Sequence, residues 1–264
     1  MNNFTLDGKH IIVTGGSSGI GLGAAKVMAG LGARVMLVAR REARLAEAVE
    51  EIRQAGGEAD YYAADMSVRD QVIASIDAAE ERFGPVDGLF ANAGAGGPRA
   101  SIVDYSDEDF DDIMTLNLKS LFWAMKRVLP SMIERRDGAI LATGSLASER
   151  GFSDTVGYNA SKHAVLGVVR SAAAEVARHN VRVNCILPGV IESEMLTDLA
   201  DQLGGGNYDE GLKIIGRMAP QGRVGTSEEL GNVAAFLLSD AARYVNGQSW
   251  AVDGGILGTI ITGG

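Results

Sequence analysis

The sequence predicts an α/β fold: a doubly wound parallel sheet of about seven strands with helices on both faces. Three observations lead there. Apolar, β-branched runs of about six residues recur along the chain. Amphipathic stretches of helical length lie between them. A glycine-rich turn, "TGGSSGIG" at 14–21, joins the first run to the first helix.

The elements follow in order. "HIIVTG" (10–15) opens the sheet, and "RVMLVA" (34–39) is the second strand. "EARLAEAVEEIRQAGG" (42–57) has apolar residues near helical spacing and closes on Gly56 and Gly57, which stop a helix. "EADYYAA" (58–64) precedes the amphipathic "RDQVIASIDAAEERFG" (69–84), and "VDGLFAN" (86–92) is the fourth strand. Long helices are expected at about 107–133 and 157–179, flanking the strand "GAILATG" (138–144). "VRVNCILPG" (181–189) and "QSWAVDGG" (248–255) complete the sheet. Strands alternating with helices are parallel, and right-handed crossovers wind the sheet both ways. No long linker, repeat or low-complexity segment interrupts the 264 residues, so a single domain over 1–264 is expected. The irregular stretch at 189–226, with "LGGGNYDEG" inside it, reads as a substrate lid.

Composition excludes several functions. The net charge is −10 with no block of basic residues, which argues against a nucleic-acid partner. No apolar run is long enough for a membrane span, and "MNNFTLDGKH" lacks the pattern of a secretory signal. Three scattered histidines and one cysteine give no metal-ligand spacing. Cys185, in an apolar run, reads as core packing, and a reduced, cytoplasmic setting is expected.

The turn at 14–21 has the properties of a pyrophosphate cradle. Gly15, Gly19 and Gly21 permit the turn and a close approach of backbone to ligand, with Ser17, Ser18 and Ile20 between them. A Rossmann-type dinucleotide fold follows from its place between strand and helix. The second strand ends in Arg40 and Arg41 rather than in a carboxylate. Two guanidinium forks suit the 2′-phosphate of NADP, with NAD the other possible cofactor; solvated arginines at a helix start are the plainer reading. Asp65, followed by Met66, could reach the adenine amino group or simply cap a helix. Asn92, Ala93 and Gly94 end the fourth strand in residues small enough to pass beside a cofactor.

"TGGSSGIG", "ANAG", Asn117 in "LNLKS", Ser145 in "ATGSLAS", "YNASK" and "PGVIESEM" together resemble the short-chain dehydrogenase/reductase family, in its single-domain branch. The spacings match as well: 28 residues from Asn117 to Ser145, 13 on to Tyr158 and 4 on to Lys162. The resemblance implies hydride transfer between a nicotinamide cofactor, NADP(H) favoured, and a secondary alcohol or ketone. Tyr158 would be the general acid/base, since helical spacing sets Lys162 on the same face and a nearby ammonium favours phenolate. Lowering a phenol by three pH units takes about 4 kcal/mol. Ser145 would hydrogen-bond the substrate oxygen, and Lys162 would also hold the ribose. Asn117 would order a water linking Lys162 to solvent. Pro188, Gly189, Ile191 and Ser193 would frame the nicotinamide.

Substrate identity is less legible. Residues 95–99, 146–152 and the lid after Pro188 should line the pocket, where Arg99 and Arg150 could meet an acidic group or stay solvated. Reduction of 3-oxoacyl thioesters on an acyl carrier protein is the alternative. It needs a basic docking face, and "VVRSAAAEVARHN" offers only Arg170 and Arg178, with Ala174 between them. A non-catalytic dinucleotide sensor and a sugar-nucleotide epimerase are further readings; the filled catalytic positions and the glycine spacing disfavour them. The family is usually oligomeric, so a homotetramer or dimer built from the long helices and the C-terminal strand is implied, with the tail "ILGTIITGG" placed to reach a neighbour.

Overall fold

The computed structural model describes residues 4–259. The tail's residues 260–264 lie outside the described residues, so the expected contact of that tail with a neighbour gains no structural account. Seven parallel strands form one sheet in the order β3-β2-β1-β4-β5-β6-β7. They are β1 (His10–Thr14), β2 (Arg34–Ala39), β3 (Glu58–Ala63), β4 (Gly88–Ala91), β5 (Gly138–Thr143), β6 (Val181–Pro188) and β7 (Ser249–Val252). In the middle of the sheet Ile12 pairs in register with Met36 on one side and Leu89 on the other. β1 and β6 are buried along their whole length. Burial on two faces leaves Ile11, Ile12 and Val13 of β1 as a continuous apolar run, whereas β6 also buries Arg182 and Asn184, whose side chains donate to the carbonyls of Leu237, Ser239 and Val245.

Helices α1 (Gly19–Gly30) and α2 (Glu42–Gln54) cover one face together with α9 (Ser227–Leu238). Met28, Leu45, Ile52 and Leu230 pack there on Ile11, Val13, Leu37 and Phe90 of the strands. Helices α3 (Arg69–Phe83), α5 (Ser120–Arg135) and α6 (Val156–Val176) cover the other face. Ile76, Met125, Val165 and Val169 meet Ile12, Met36, Leu89 and Ile140 on that side. Alternate strand residues therefore feed opposite cores. Cys185 is fully buried in the second of these layers, as the sequence reading expects, and burial pushes its thiol up to about 12.

Two regions differ from expectation. The helix expected over 107–133 is interrupted: α4 (Asp107–Met114) passes through a π-helical turn, Thr115–Lys119, into α5. A π-turn inserts a residue into the helical ladder, usually where a side chain is needed elsewhere. Here the inserted turn swings Asn117 onto the backbone of Ala95. The stretch 189–226 is also more regular than a loop. It holds α7 (Glu194–Leu203) and α8 (Tyr208–Gly216), joined by a turn in which Gly205 and Gly206 take left-handed φ values of 62° and 89°. Asn207 caps α8 by accepting from the Glu210 amide at 3.2 Å. α9 opens on a full capping box, Thr226 with Glu229.

Candidate active site

A cavity of about 500 Å³ opens at the carboxyl ends of the strands, over β1 and β4, where the strand order reverses direction. Open parallel sheets bind ligands at such a switch point, and the volume suits a sizeable one.

The floor of one end is the turn after β1. Thr14 ties it to β4: its Oγ1 accepts from the amides of Asn92 and Ala93, both at 3.0 Å. Asn92 in turn donates from Nδ2 to the Thr14 carbonyl and accepts from Thr143 Oγ1 at 3.2 Å, so three strand ends are laced together. Gly15 needs its left-handed φ of 68°, and a Cβ there would sit 3.1 Å from the Ala93 Cα. Gly15, Ser17, Ser18, Gly19 and Ile20 line the cavity. Gly21 does not; it lies beneath the turn, where a Cβ would collide with the Gly15 carbonyl oxygen. Gly21 thus lets α1 approach rather than touching a ligand itself. The first turn of α1 carries no acidic residue, and Ser18 at its N-cap makes no capping bond. A helix N-terminus left in this state favours an anion.

Arg40, Arg41, Asp65 and Met66 line the next part of the wall. Asp65 is not a helix cap, since α3 starts after Val68. Its Oδ1 accepts instead from the amide and hydroxyl of Ser67, at 2.8 and 2.7 Å. Burial pushes this carboxyl up, but the Ser67 bonds and the charge of Arg40 outweigh it, and the net displacement is downward. Arg41 donates to Ser18 Oγ at 3.0 Å and forms an ion pair with Glu194 at 2.8 Å.

The far end holds the residues of the sequence's polar motifs. Ser145 caps a short 3₁₀ turn, Leu146–Ser148, where its hydroxyl accepts from the Ala147 amide at 3.1 Å. Tyr158 and Lys162 sit one turn apart in the first part of α6, with the ammonium 5.7 Å from the centre of the phenol ring. Lys162 is 4% exposed and donates to the Thr143 carbonyl at 2.8 Å. Ser145 and Tyr158 are hydrogen-bonded through their side chains. Ser145, Tyr158 and Lys162 all face the same cavity, together with Asn92, Ala93, Gly94, Pro188, Gly189, Ile191 and Ser193. Asn117 does not line it. Its amide is bound on both sides to Ala95, at 2.9 Å each, and to Ser161 Oγ at 3.0 Å. Its Oδ1 and the Lys162 Nζ nonetheless flank the same point beside Gly94, where a Cβ would lie 2.9 and 3.5 Å from them.

The electrostatics of the chain alone are governed by burial. Tyr158 is displaced upward from the usual phenol value, because burial outweighs the Ser145 hydrogen bond. Lys162 moves the other way, down to about 8, again because burial dominates. In the chain alone, burial is the larger influence on both groups.

The substrate end also departs from the reading of the sequence. Of residues 95–99 only Ala95 reaches the cavity, and none of 146–152 does. Leu146, Ala147 and Ser148 are buried inward, and Gly97 is packed against Ile113 and Tyr105. Arg99 and Arg150 are exposed outside it. Leu116 from the π-turn and Glu194 and Leu196 from α7 line it instead. Sequence reasoning also passed over Thr14 and Thr143, although a hydroxyl at the last residue of a strand was the available signal.

Comparison with known proteins agrees with this geometry. The family model described as enoyl-(acyl carrier protein) reductase matches residues 15–257. Levodione reductase of Leifsonia aquatica is 34% identical over 93% of this chain and 92% of its own. The 3-oxoacyl-(acyl-carrier-protein) reductase of Chlamydia pneumoniae is 35% identical over 96% and 99%. Among solved structures, levodione reductase superposes with a TM-score of 0.89 over 94% of this chain and 97% of that one. The L-sorbose reductase of Gluconobacter frateurii, complexed with NADPH and L-sorbose, is 33% identical and reaches 0.93 over 98% and 100%. The chain therefore belongs to the short-chain dehydrogenase/reductase family and is an oxidoreductase.

Proposed function

We propose that this enzyme interconverts a small-molecule ketone and its secondary alcohol with NADP(H), Tyr158 carrying the proton. One observation carries the reading: Ser145, Tyr158 and Lys162 converge at one end of a cavity whose other end is a glycine turn and a pair of arginines. The residues present fit a dinucleotide. The turn and the acid-free start of α1 suit a pyrophosphate, and Arg40 and Arg41 suit a 2′-phosphate. The L-sorbose reductase structure, with NADPH in a closely superposable fold, supports the same choice. NAD(H) remains the weaker alternative.

Bound nicotinamide supplies or accepts the hydride. The chain does the rest. Reduction leaves an alkoxide, and a buried phenol that keeps its proton at neutral pH is the form needed to quench it. Ser145, already hydrogen-bonded to that phenol, orients the substrate oxygen and stabilises charge on it. Lys162 stays charged at neutral pH, would hold the ribose hydroxyls and, 5.7 Å from the centre of the Tyr158 ring, would steady the phenolate left after proton transfer. Asn117, fixed on Ala95 by the π-turn, orders the water that connects Lys162 to solvent. Ile191 presents backbone to the carboxamide, and Ser193 beside Gly19 completes the frame.

The described chain works in this reading as a single unit, its segment 189–226 lying over the substrate. Exposed Phe122 on α5 and Trp250 on β7 support a homodimer or homotetramer built on those elements. No described helix is long and apolar enough to cross a membrane. A reducing, cytoplasmic setting keeps Cys185 a thiol. Thioester reduction on a carrier protein is the second reading, since relatives named for it align over nearly the whole chain. The exposed surface of α6 and the turn after it, which would dock the carrier, holds Arg170 and Arg178 around Ala174 and Glu175, a weak basic surface.

A panel of ketones, alcohols and 3-oxoacyl thioesters, assayed with NADPH and NADH, tests the reading. Turnover of small ketones with NADPH is expected, and Tyr158→Phe should cut it by about 10³-fold while still binding dinucleotide. A variant that keeps the wild-type rate removes Tyr158 from the mechanism. Binding with no turnover anywhere on the panel would make the protein a sensor.

A further inference from the structure

We propose that Glu194 is a cofactor-selecting residue, a built-in competitor for the guanidinium that would bind the cofactor's 2′-phosphate. The inference rests on the reading of Arg40 and Arg41 as that phosphate's site.

The two arginines differ. Arg40 is exposed and makes no ion pair among the described residues, though it lies near the Asp65 carboxylate. Arg41 is held on three sides. Its guanidinium donates to Ser18 Oγ at 3.0 Å, to Glu194 Oε1 at 3.3 Å and to Glu194 Oε2 at 2.8 Å. Both carboxylate oxygens and the fork face each other, the bidentate arrangement that a phosphate would also use. Glu194 is 153 residues away in sequence and is the first residue of α7. Arg44, one turn along α2, adds a further positive charge near it. The same donors cannot serve a carboxylate and a phosphate dianion at once. A dinucleotide with a 2′-phosphate must displace Glu194 from Arg41, and one with a bare 2′-hydroxyl need not.

Glu194 and Arg41 are each about half exposed, at 52% and 48% of their side-chain surface. An exposed pair of this kind is weak, so the competition shifts affinity by a small factor and does not abolish it. Selectivity at this site is then a balance: Arg40 and Arg41 draw the phosphate in, and Glu194 trims the gain.

The test is direct binding, read as nicotinamide fluorescence on titration of NADPH and NADH into the purified enzyme. Glu194→Gln should tighten NADPH about threefold or more, and change NADH by less than about 1.5-fold. The NADPH gain should shrink in about 0.5 M salt, as exposed charge effects do. In an Arg41→Ala background the Gln substitution should have no effect, because the contested donor is gone. No tightening of NADPH, equal tightening of both cofactors, or a gain that survives Arg41→Ala would each overturn the proposal. If Arg41→Ala itself weakens NADPH and NADH equally, the phosphate-site reading has failed. If it weakens NADPH alone while Glu194→Gln does nothing, only the role of Glu194 has failed.

Discussion

Replacing Lys162 by methionine removes a cation that the fold keeps 4% exposed, with the Thr143 carbonyl as its hydrogen-bond acceptor. Burial brings the ammonium from 10.5 down to about 8. At about 1.4 kcal/mol per pH unit, keeping this group charged at neutral pH costs the fold about 3 kcal/mol. Methionine has nearly the same length and no charge, so it removes that cost. It also forfeits the Thr143 hydrogen bond and leaves the carbonyl unpaired, a loss of about 1–2 kcal/mol. The variant should therefore be about 1–2 kcal/mol more stable than wild type at pH 7 while losing turnover. The sign changes with pH in a defined window. The native lysine binds its proton less tightly than the unfolded one, so its penalty is complete below pH 8 and disappears as pH rises toward 10.5. Urea denaturation of both proteins at pH 7 and pH 10 measures this. A gain at pH 7 that vanishes or reverses at pH 10 is expected. A variant less stable than wild type at pH 7, or a difference independent of pH, would refute the claim that charge burial is the dominant energy at this residue.

Replacing Arg40 and Arg41 together by alanine should weaken NADPH binding by on the order of 10- to 100-fold and NADH binding far less, in direct titrations; equal losses would remove the 2′-phosphate argument. Gly21→Ala drives a methyl into the Gly15 carbonyl and should cost about 1–3 kcal/mol in denaturant unfolding along with dinucleotide affinity. Gly30→Ala at the end of the same helix meets nothing within 4 Å and should instead stabilise by about 0.5–1 kcal/mol. For ketone reduction, kcat/KM should hold at neutral pH and fall as pH passes about 8, where Lys162 loses its proton. Lys162→Arg, whose charge does not titrate there, should flatten that limb in whatever activity it retains.

The elements were legible where local pattern and tertiary role coincide. β1 reads as a strand because residues buried on both faces leave a continuous apolar run, Ile11 to Val13. Tyr158 and Lys162 could be paired from sequence because a helix fixes the geometry of positions four apart. What the sequence hid depends on distant partners. Nothing between residues 107 and 133 signals a π-turn, and the backbone that Asn117 meets from it belongs to Ala95, 22 residues earlier. The helices α7 and α8 were obscured by the glycines between them, although the apolar spacing on either side was helical. The Arg41–Glu194 pair joins opposite walls of the cavity, and no local motif could announce it.

The direction of the two proton affinities says what the bare site is prepared to do. Mutual attraction between a phenolate and an ammonium would lower Tyr158 and raise Lys162. Both move the opposite way, because loss of water is the largest influence on each. The resting pair is a neutral phenol beside an ammonium. If Tyr158 carries the proton as proposed, that state gives one to an alkoxide directly, whereas taking one from an alcohol first requires ionising Tyr158 against its burial. The cations of Arg40 and Arg41 cannot help, because they belong to the opposite end of the cavity, beside Ser18 and Asp65. The lysine's burial is then the stability sacrificed to keep a cation within reach of the phenol.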